Sequence, residues 1–191
     1  YTVVAIGAGA FAGNTSVVEI ELSGNVKTIE NGAFAGCTKL ESVRFVKDGL
    51  ETIAADAFYG CKALKNYAFP STLKTIEDSA FSGCSKLTKV TVGSNVKAIG
   101  NKAFYKCTKL TTFTASSTGL NKIGKEAFSG DKKLANITLK TTKLKKSGVG
   151  KDAFKNIKKN ATFKVPAKKV SDYKAIFKSK GAGKNIKVKK L

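Results

Sequence analysis

The segment LKTIEDSAFSGC, residues 73 to 84, is one copy of a repeated pattern, because its Ala-Phe dipeptide occurs seven times along the chain. The seven phenylalanines are Phe11, Phe34, Phe58, Phe81, Phe104, Phe128 and Phe154. Successive phenylalanines are 23 or 24 residues apart, except for 26 between the last two. A fixed period of this size predicts a repeat solenoid of about seven coils, each burying its apolar face against the next.

The spacing inside the repeat predicts one strand, one loop and one turn per coil. Apolar residues lie nine and eleven positions after each phenylalanine, as at Val90 and Val92, which indicates a strand with one buried face. The length variation between coils falls after this strand, so we place a loop there. A second apolar pair follows, such as Leu73 and Ile76. Asparagine or aspartate before the phenylalanine and glycine after it predict a short helical or 3-10 turn.

The repeated unit reads L-x-x-V-x-F and then L-K-x-I-x-x-x-A-F-x-G-C, as in residues 40–45 and 73–84. It closely resembles the BspA-like leucine-rich repeats, over residues 3 to 165. The resemblance implies a right-handed superhelix with a parallel β-sheet on its concave face. It also implies relatives that occur mostly on bacterial cell surfaces, some of them adhesins that attach to extracellular matrix proteins.

We expect the solenoid to occupy residues 1–165 and a C-terminal cap with a basic tail to occupy residues 166–191. The array starts in mid-repeat, so we expect it to be an N-terminally truncated piece of a longer protein. At the other end the pattern stops at Pro166, and four apolar residues at helical spacing predict a capping helix: Val170, Tyr173, Ile176 and Phe177. The sequence has no apolar run of about 18 residues that could span a membrane.

The four cysteines, Cys37, Cys61, Cys84 and Cys107, all lie three residues after a repeated phenylalanine. They therefore form a column with steps of about 4.8 Å, which cannot converge on one metal ion. Parallel Cβ vectors also disfavour disulfides between neighbours. We expect four buried free thiols and no metal site.

The composition argues against an enzyme. The chain has no histidine, and its carboxylates are scattered over the exteriors of the repeats. Glycines follow the turns and form no phosphate-binding loop. We therefore expect no catalytic residues and no cofactor.

The formal charge of +22 is concentrated at the C-terminal end, with net −1 over residues 1–70, +8 over 71–140 and +15 over 141–191. This asymmetry favours binding of an anionic partner, such as an acidic polysaccharide or a cell-wall polymer. A Lys-rich solubilising exterior is the alternative. Sequence-specific nucleic-acid binding is disfavoured, since only one arginine and no groove-reading module are present. The candidate polyanion patch comprises Lys143, Lys145, Lys146, Lys158, Lys159, Lys168 and Lys169.

Alternation along the strands places polar residues on the open face of the sheet, where leucine-rich solenoids commonly bind partners. The candidate protein-binding residues are Ser42, Arg44, Asn66, Lys89, Thr91, Thr112, Thr114, Asn136, Thr138 and Lys164. The leading hypothesis is a non-catalytic binding or adhesion module of a bacterial surface or secreted protein, with a host or neighbouring-cell protein as partner. The alternatives are a wall- or polyanion-binding module acting through the basic end, and a spacer that displays another domain.

Overall fold

The computed structural model describes residues 2–67 and 69–191, apart from the side chain of Asn66. One strand of each coil belongs to a row of long strands, which have four residues each except for the two-residue β6. They are β2 (Glu19–Leu22), β4 (Ser42–Phe45), β6 (Asn66–Tyr67), β8 (Lys89–Val92), β10 (Thr112–Ala115), β12 (Asn136–Leu139), β13 (Thr162–Val165) and β14 (Lys187–Lys190). All pairings between them are parallel, in two ladders ordered β2-β4-β6 and β8-β10-β12-β13-β14.

A second parallel sheet is built from two-residue strands. These are β1 (Ala5–Ile6), β3 (Thr28–Ile29), β5 (Thr52–Ile53), β7 (Thr75–Ile76), β9 (Ala98–Ile99) and β11 (Lys122–Ile123), paired in that order. A bridge between Ile123 and Val149 carries the pairing one coil further. The chain is therefore a parallel β-solenoid of eight long strands, one more than the phenylalanine repeats predict. The right-handed sense and the concave placement of the long strands stay predictions from the resemblance.

The repeated phenylalanines form one continuous stack inside the coils. Consecutive ring centroids from Phe11 to Phe154 are 5.1 to 5.6 Å apart, with interplanar angles of 2° to 13°. All the rings from Phe34 onward are fully buried, whereas Phe11 is 41% exposed. Burial of each ring contributes roughly 2 to 3 kcal/mol.

The prediction of helical turns around each phenylalanine needs correction. These segments are hydrogen-bonded turns in which every second N–H donates to the next coil, as from Phe34 to Ala57 O (2.8 Å) and from Gly36 to Tyr59 O (2.7 Å). Left-handed backbone two residues after the ring, as at Gly36 (φ 73°), prevents a helical run. In the described ranges, 3-10 helix occurs only at Lys146–Gly148 and Ala167–Lys169.

The aspartate or asparagine before the phenylalanine, which predicted the start of a helical turn, does not cap its own turn at Asp78 or Asn101. Asp78 Oδ1 accepts a hydrogen bond from Asn101 N (2.7 Å), and Asn101 Oδ1 accepts one from Lys125 N (2.8 Å). These side chains therefore link each turn to the next coil.

The helix α1 (Val170–Ser179) closes the C-terminal end of the stack. Tyr173 and Phe177 are fully buried, and the hydroxyl of Tyr173 donates to Thr141 O and accepts from Leu144 N, both at 3.1 Å. The tail then returns as β14 beside β13. Of the described helices, none is long and apolar enough to cross a membrane.

Candidate functional site

The long strands present a polar face to solvent. In β8 and β10 the inward residues Val90, Val92, Phe113 and Ala115 are fully buried, while the alternate residues point the other way. We call the outward side chains of the eight strands the long-strand face. Nine of the ten candidate protein-binding residues have their side chains on this face. The tenth is Asn66, whose side chain lies outside the described residues.

The strand register arranges this face into two rows. Residues that pair across neighbouring strands lie about 4.8 Å apart, so each row is a near-continuous line of side chains. The first row is Lys89, Thr112, Asn136, Thr162 and Lys187, and the second row is Thr91, Thr114, Thr138, Lys164 and Lys189. The sequence-predicted residues of β8 to β13 are therefore brought together on one surface.

The N-terminal part of the face has a different charge. Glu19 and Glu21 lie opposite Ser42 and Arg44. Arg44 Nη2 is 3.5 Å from Glu19 Oε2, and Ser42 Oγ donates to Glu19 Oε1 at 3.2 Å. Two of the candidate residues are thus engaged with a carboxylate of their own face. This charge-paired part precedes a section from β8 to β14 that carries lysines and no carboxylate.

Two lysines of this face are not among the candidate binding residues that the sequence predicted. Lys187 and Lys189 lie on β14, opposite Thr162 and Lys164. The signal was the alternation of Ile186 and Val188 with lysines, which matches the inward and outward positions of a strand. With these two residues, the basic end of the molecule becomes continuous with the candidate binding face.

The seven lysines of the candidate polyanion patch do not form one cluster. Lys143, Lys145 and Lys146 follow the carboxyl end of β12, and Lys168 and Lys169 follow that of β13. Lys158 and Lys159 instead precede β13, at the opposite edge of the sheet. Six of the seven are exposed, and Lys169 pairs with Asp172 at 2.9 Å. The structure therefore divides the patch between two edges.

The cysteines form the predicted column of buried, unpaired thiols. Each Sγ donates to the carbonyl oxygen of the phenylalanine one coil earlier, from Cys37 to Phe11 (3.0 Å) through Cys107 to Phe81 (3.2 Å). Burial raises the pKa of the Cys61 thiol to about 12 and holds those of Cys84 and Cys107 well above the ordinary value. A protonated, buried thiol is a poor nucleophile, so these residues act in packing.

One carboxyl group continues the column. Asp131 occupies the slot one coil after Cys107, is fully buried, and has no hydrogen-bond partner for either carboxylate oxygen among the described residues. Burial raises its pKa well above the ordinary aspartate value. Burial of this carboxyl group without a hydrogen-bond partner lowers the stability of the folded chain at neutral pH. Because the core encloses it, the group has no access to a substrate.

Comparison with known proteins identifies the repeat. The family model of the BspA type leucine-rich repeat region, in six copies, matches residues 4–120 and 97–190. The chain belongs to this family. The match extends over nearly the whole array and confirms the resemblance that the repeated motif indicates. A separate search of curated proteins found none with significant sequence similarity to the chain.

Three solved structures show the same fold as this BspA-type chain. A leucine-rich repeat protein of T. pallidum is 27% identical with a TM-score of 0.76, over 97% of this chain and 80% of that one. One from Bacteroides ovatus is 29% identical with a TM-score of 0.69, over 86% and 49%. A leucine-rich cell surface protein of Faecalibacterium prausnitzii is 19% identical with a TM-score of 0.58, over 87% and 59%. The chain thus spans about half the length of the second of these proteins.

Proposed function

We propose that this chain is a non-catalytic protein-binding module of a bacterial cell-surface protein, and that its long-strand face contacts the partner. The observation that carries the proposal is the pair of side-chain rows across β8 to β14. They form a solvent-facing surface on a rigid core, with side chains that the fold itself does not use. Membership of the BspA-type family and the cell-surface description of the Faecalibacterium protein support a surface location.

The chemistry of the face indicates the kind of partner. From β8 to β14 its only charged side chains are lysines, namely Lys89, Lys164, Lys187 and Lys189, set among threonines and asparagine. A surface of this kind complements a protein with an acidic patch, since opposite potentials speed encounter and fix orientation. The outward rows lack large aromatic anchors, so affinity has to come from many polar contacts.

Capture with matched variants tests this proposal. The face variant is Thr114→Glu with Thr138→Glu, which lie opposite each other on β10 and β12. The rear variant is Thr52→Glu with Thr75→Glu, which lie opposite each other on β5 and β7. Both add two carboxylates to neighbouring parallel strands, and thermal unfolding of each variant checks that the two changes in stability are alike. Solubilised surface proteins of bacterial and host cells are passed over each immobilised form.

Proteins retained by the unmodified chain and the rear variant, and lost from the face variant, support the proposal. Retention that is equal for all three forms contradicts it.

The second candidate, attachment to a polyanionic wall polymer through the basic end, rests on the lysines at both edges of β12 and β13. It predicts binding that falls steeply with salt and fails in a Lys145→Gln, Lys146→Gln, Lys158→Gln variant.

A further inference from the structure

A shallow groove runs across the turns, on a part of the surface that belongs to neither sheet. It has a volume of about 440 Å³ and crosses four successive coils. Its floor consists of Gly36, Gly60 and Gly83, and Lys106 occupies the same repeat position in the next coil. None of its lining residues lies on the long-strand face.

Two tyrosines project from alternate coils along this groove. The position directly after the repeated phenylalanine is alanine or serine in most coils, but it is Tyr59 and Tyr105 in two of them. Tyr59 is 52% exposed, and Ser82, in the coil between them, is buried. The solenoid therefore folds with a small residue here, and the two rings serve no packing need of the core. Two coil steps place them about 10 Å apart.

The glycine floor offers hydrogen-bond acceptors and no donors. The N–H groups of Gly36, Gly60 and Gly83 donate to carbonyl oxygens of the following coil at 2.7 to 2.8 Å. Their own carbonyl oxygens accept no hydrogen bond from any described residue. These glycines have left-handed φ angles of 68° to 76°, so a side chain is disfavoured and the floor stays bare. A ligand rich in hydroxyl donors fits this floor.

The charge of the groove is positive. Lys62 and Lys106 line it, and no lining residue is acidic. Lys106 Nζ is 5.0 Å from the centre of the Tyr105 ring. Neither lysine takes part in the ion pairs that the described residues form. Neither ammonium group therefore has a carboxylate partner among the described residues, and that of Lys106 is held beside the Tyr105 ring.

We propose that this groove binds an acidic polysaccharide. A sugar ring stacks its C–H face on the exposed ring of Tyr59, sugar hydroxyls donate to the glycine carbonyl oxygens, and carboxylates of the polymer pair with Lys62 and Lys106. The ring of Tyr105 positions Lys106 for this contact, with Lys106 Nζ and Lys102 Nζ at 5.0 and 5.6 Å from its centre. The rings lie two coils apart, a distance comparable to one disaccharide unit of an extended chain. An acidic peptide fits less well, because the groove has no apolar pocket for a side-chain anchor and no strand edge for backbone pairing.

Titration calorimetry with defined tetrasaccharides tests this site. The probes are tetramers of hyaluronan, alginate and polygalacturonate, with neutral chitotetraose and a tetraglutamate peptide as comparisons. We expect saturable binding of at least one acidic tetramer. The double variant Tyr59→Ala, Tyr105→Ala should weaken it at least tenfold, and Tyr59→Phe with Tyr105→Phe should retain it. Lys62→Gln with Lys106→Gln should also weaken it at least tenfold, whereas Lys97→Gln with Lys122→Gln, which removes the same charge from exposed positions beside and within the sheet of two-residue strands, should not.

Three results overturn the proposal. The first is that none of the acidic tetramers binds to the folded chain. The second is that substitution of the groove lysines and of the control lysines lowers the affinity for the acidic tetramer equally, which would mean that the tetramer is attracted nonspecifically by positive charge. The third is that tetraglutamate binds with the same dependence on the tyrosines, which assigns the groove to acidic peptides. Unchanged circular dichroism and thermal unfolding of each variant show that a loss arises from the groove. The face variant should bind the tetramer normally, so the test stands apart from that of the protein-binding face.

Discussion

The ring of Phe154, the last of the repeated phenylalanines, meets the ring of Phe177 edge-on, with centroids 5.3 Å apart and an interplanar angle of 73°. Phe177 also stacks on Phe163 at 4.4 Å. The helix α1 thus ends the phenylalanine stack, because it turns an aromatic edge toward the last ring face. At the other end of the described stack, Phe11 is 41% exposed, the most of the seven rings.

This asymmetry predicts unequal costs for the same substitution. Phe177→Ala should lower the free energy of unfolding by about 3 to 5 kcal/mol, as expected for a large aromatic ring removed from a closed core. Phe11→Ala should cost less than about half as much, since its ring is already partly solvated. Urea denaturation followed by circular dichroism measures both changes. Equal costs for the two variants would mean that the helix does not seal the core.

Two buried tyrosines should respond to loss of their hydroxyl in opposite ways. Tyr67 Oη is buried with no hydrogen-bond partner among the described residues, whereas Tyr173 Oη makes two hydrogen bonds. Tyr67→Phe should raise the free energy of unfolding by about 1 kcal/mol, and Tyr173→Phe should lower it by about 1 to 2 kcal/mol. Thermal unfolding of the two variants checks this. A loss of stability in Tyr67→Phe would show that its hydroxyl has a partner.

Asp131 should make stability depend on pH. Its pKa in the folded state lies above that of the unfolded chain, because burial disfavours the charged form. The folded state therefore holds the proton more tightly, and its stability is greatest below the ordinary value near 4 and falls as pH rises toward the folded pKa.

Asp131→Cys should remove this penalty and extend the thiol column by one coil. We expect the free energy of unfolding at pH 7 to rise by about 2 kcal/mol or more, with a smaller gain at pH 4. Asp56→Asn, at an exposed carboxyl group, serves as the control and should produce no comparable gain. A Cys variant whose gain is the same at both pH values would refute the assignment of a raised pKa to Asp131.

The four thiols of the column should react slowly with alkylating reagents in the folded state. Because burial raises the pKa of all four thiols, iodoacetamide at pH 8 should label the native chain slowly and all four cysteines rapidly after denaturation. Cys37 donates to the carbonyl oxygen of Phe11, the one partly exposed phenylalanine of the stack, so Cys37 should be labelled first. Peptide mass spectrometry gives the order, and labelling that begins at Cys84 or Cys107 would contradict this prediction.

Much of the fold follows from periodicity alone. The register of the phenylalanines correctly predicted the inward residues, the strands and the buried cysteine column. The helical spacing of the apolar residues after Pro166 predicted the capping helix that contains Tyr173 and Phe177. These features depend on spacing, which a sequence shows directly. The strand β14 lies in the segment that the sequence indicated only as a basic tail, because a lysine-rich segment becomes a strand only when β13 offers it a partner.

Features that depend on atomic contacts were not visible in the sequence. The segment around each phenylalanine has the residues of a helical turn, and only the hydrogen bonds between coils show that it forms none. Asp131 occupies a slot of the predicted cysteine column, but the absence of a hydrogen-bond partner for its carboxylate among the described residues depends on the positions of neighbouring atoms. Tyr59 and Tyr105 were assigned no role, because their exposure depends on the small residues in neighbouring coils.

Surface plasmon resonance of a protein partner against the face and rear variants tests the central claim most directly. Thr114→Glu with Thr138→Glu should weaken binding about tenfold or more, because two carboxylates enter the contact surface and repel an acidic partner. Thr52→Glu with Thr75→Glu should leave affinity within about twofold, since these residues lie on the other sheet. Unchanged affinity in the face variant, or an equal loss in both, would contradict binding through the long-strand face.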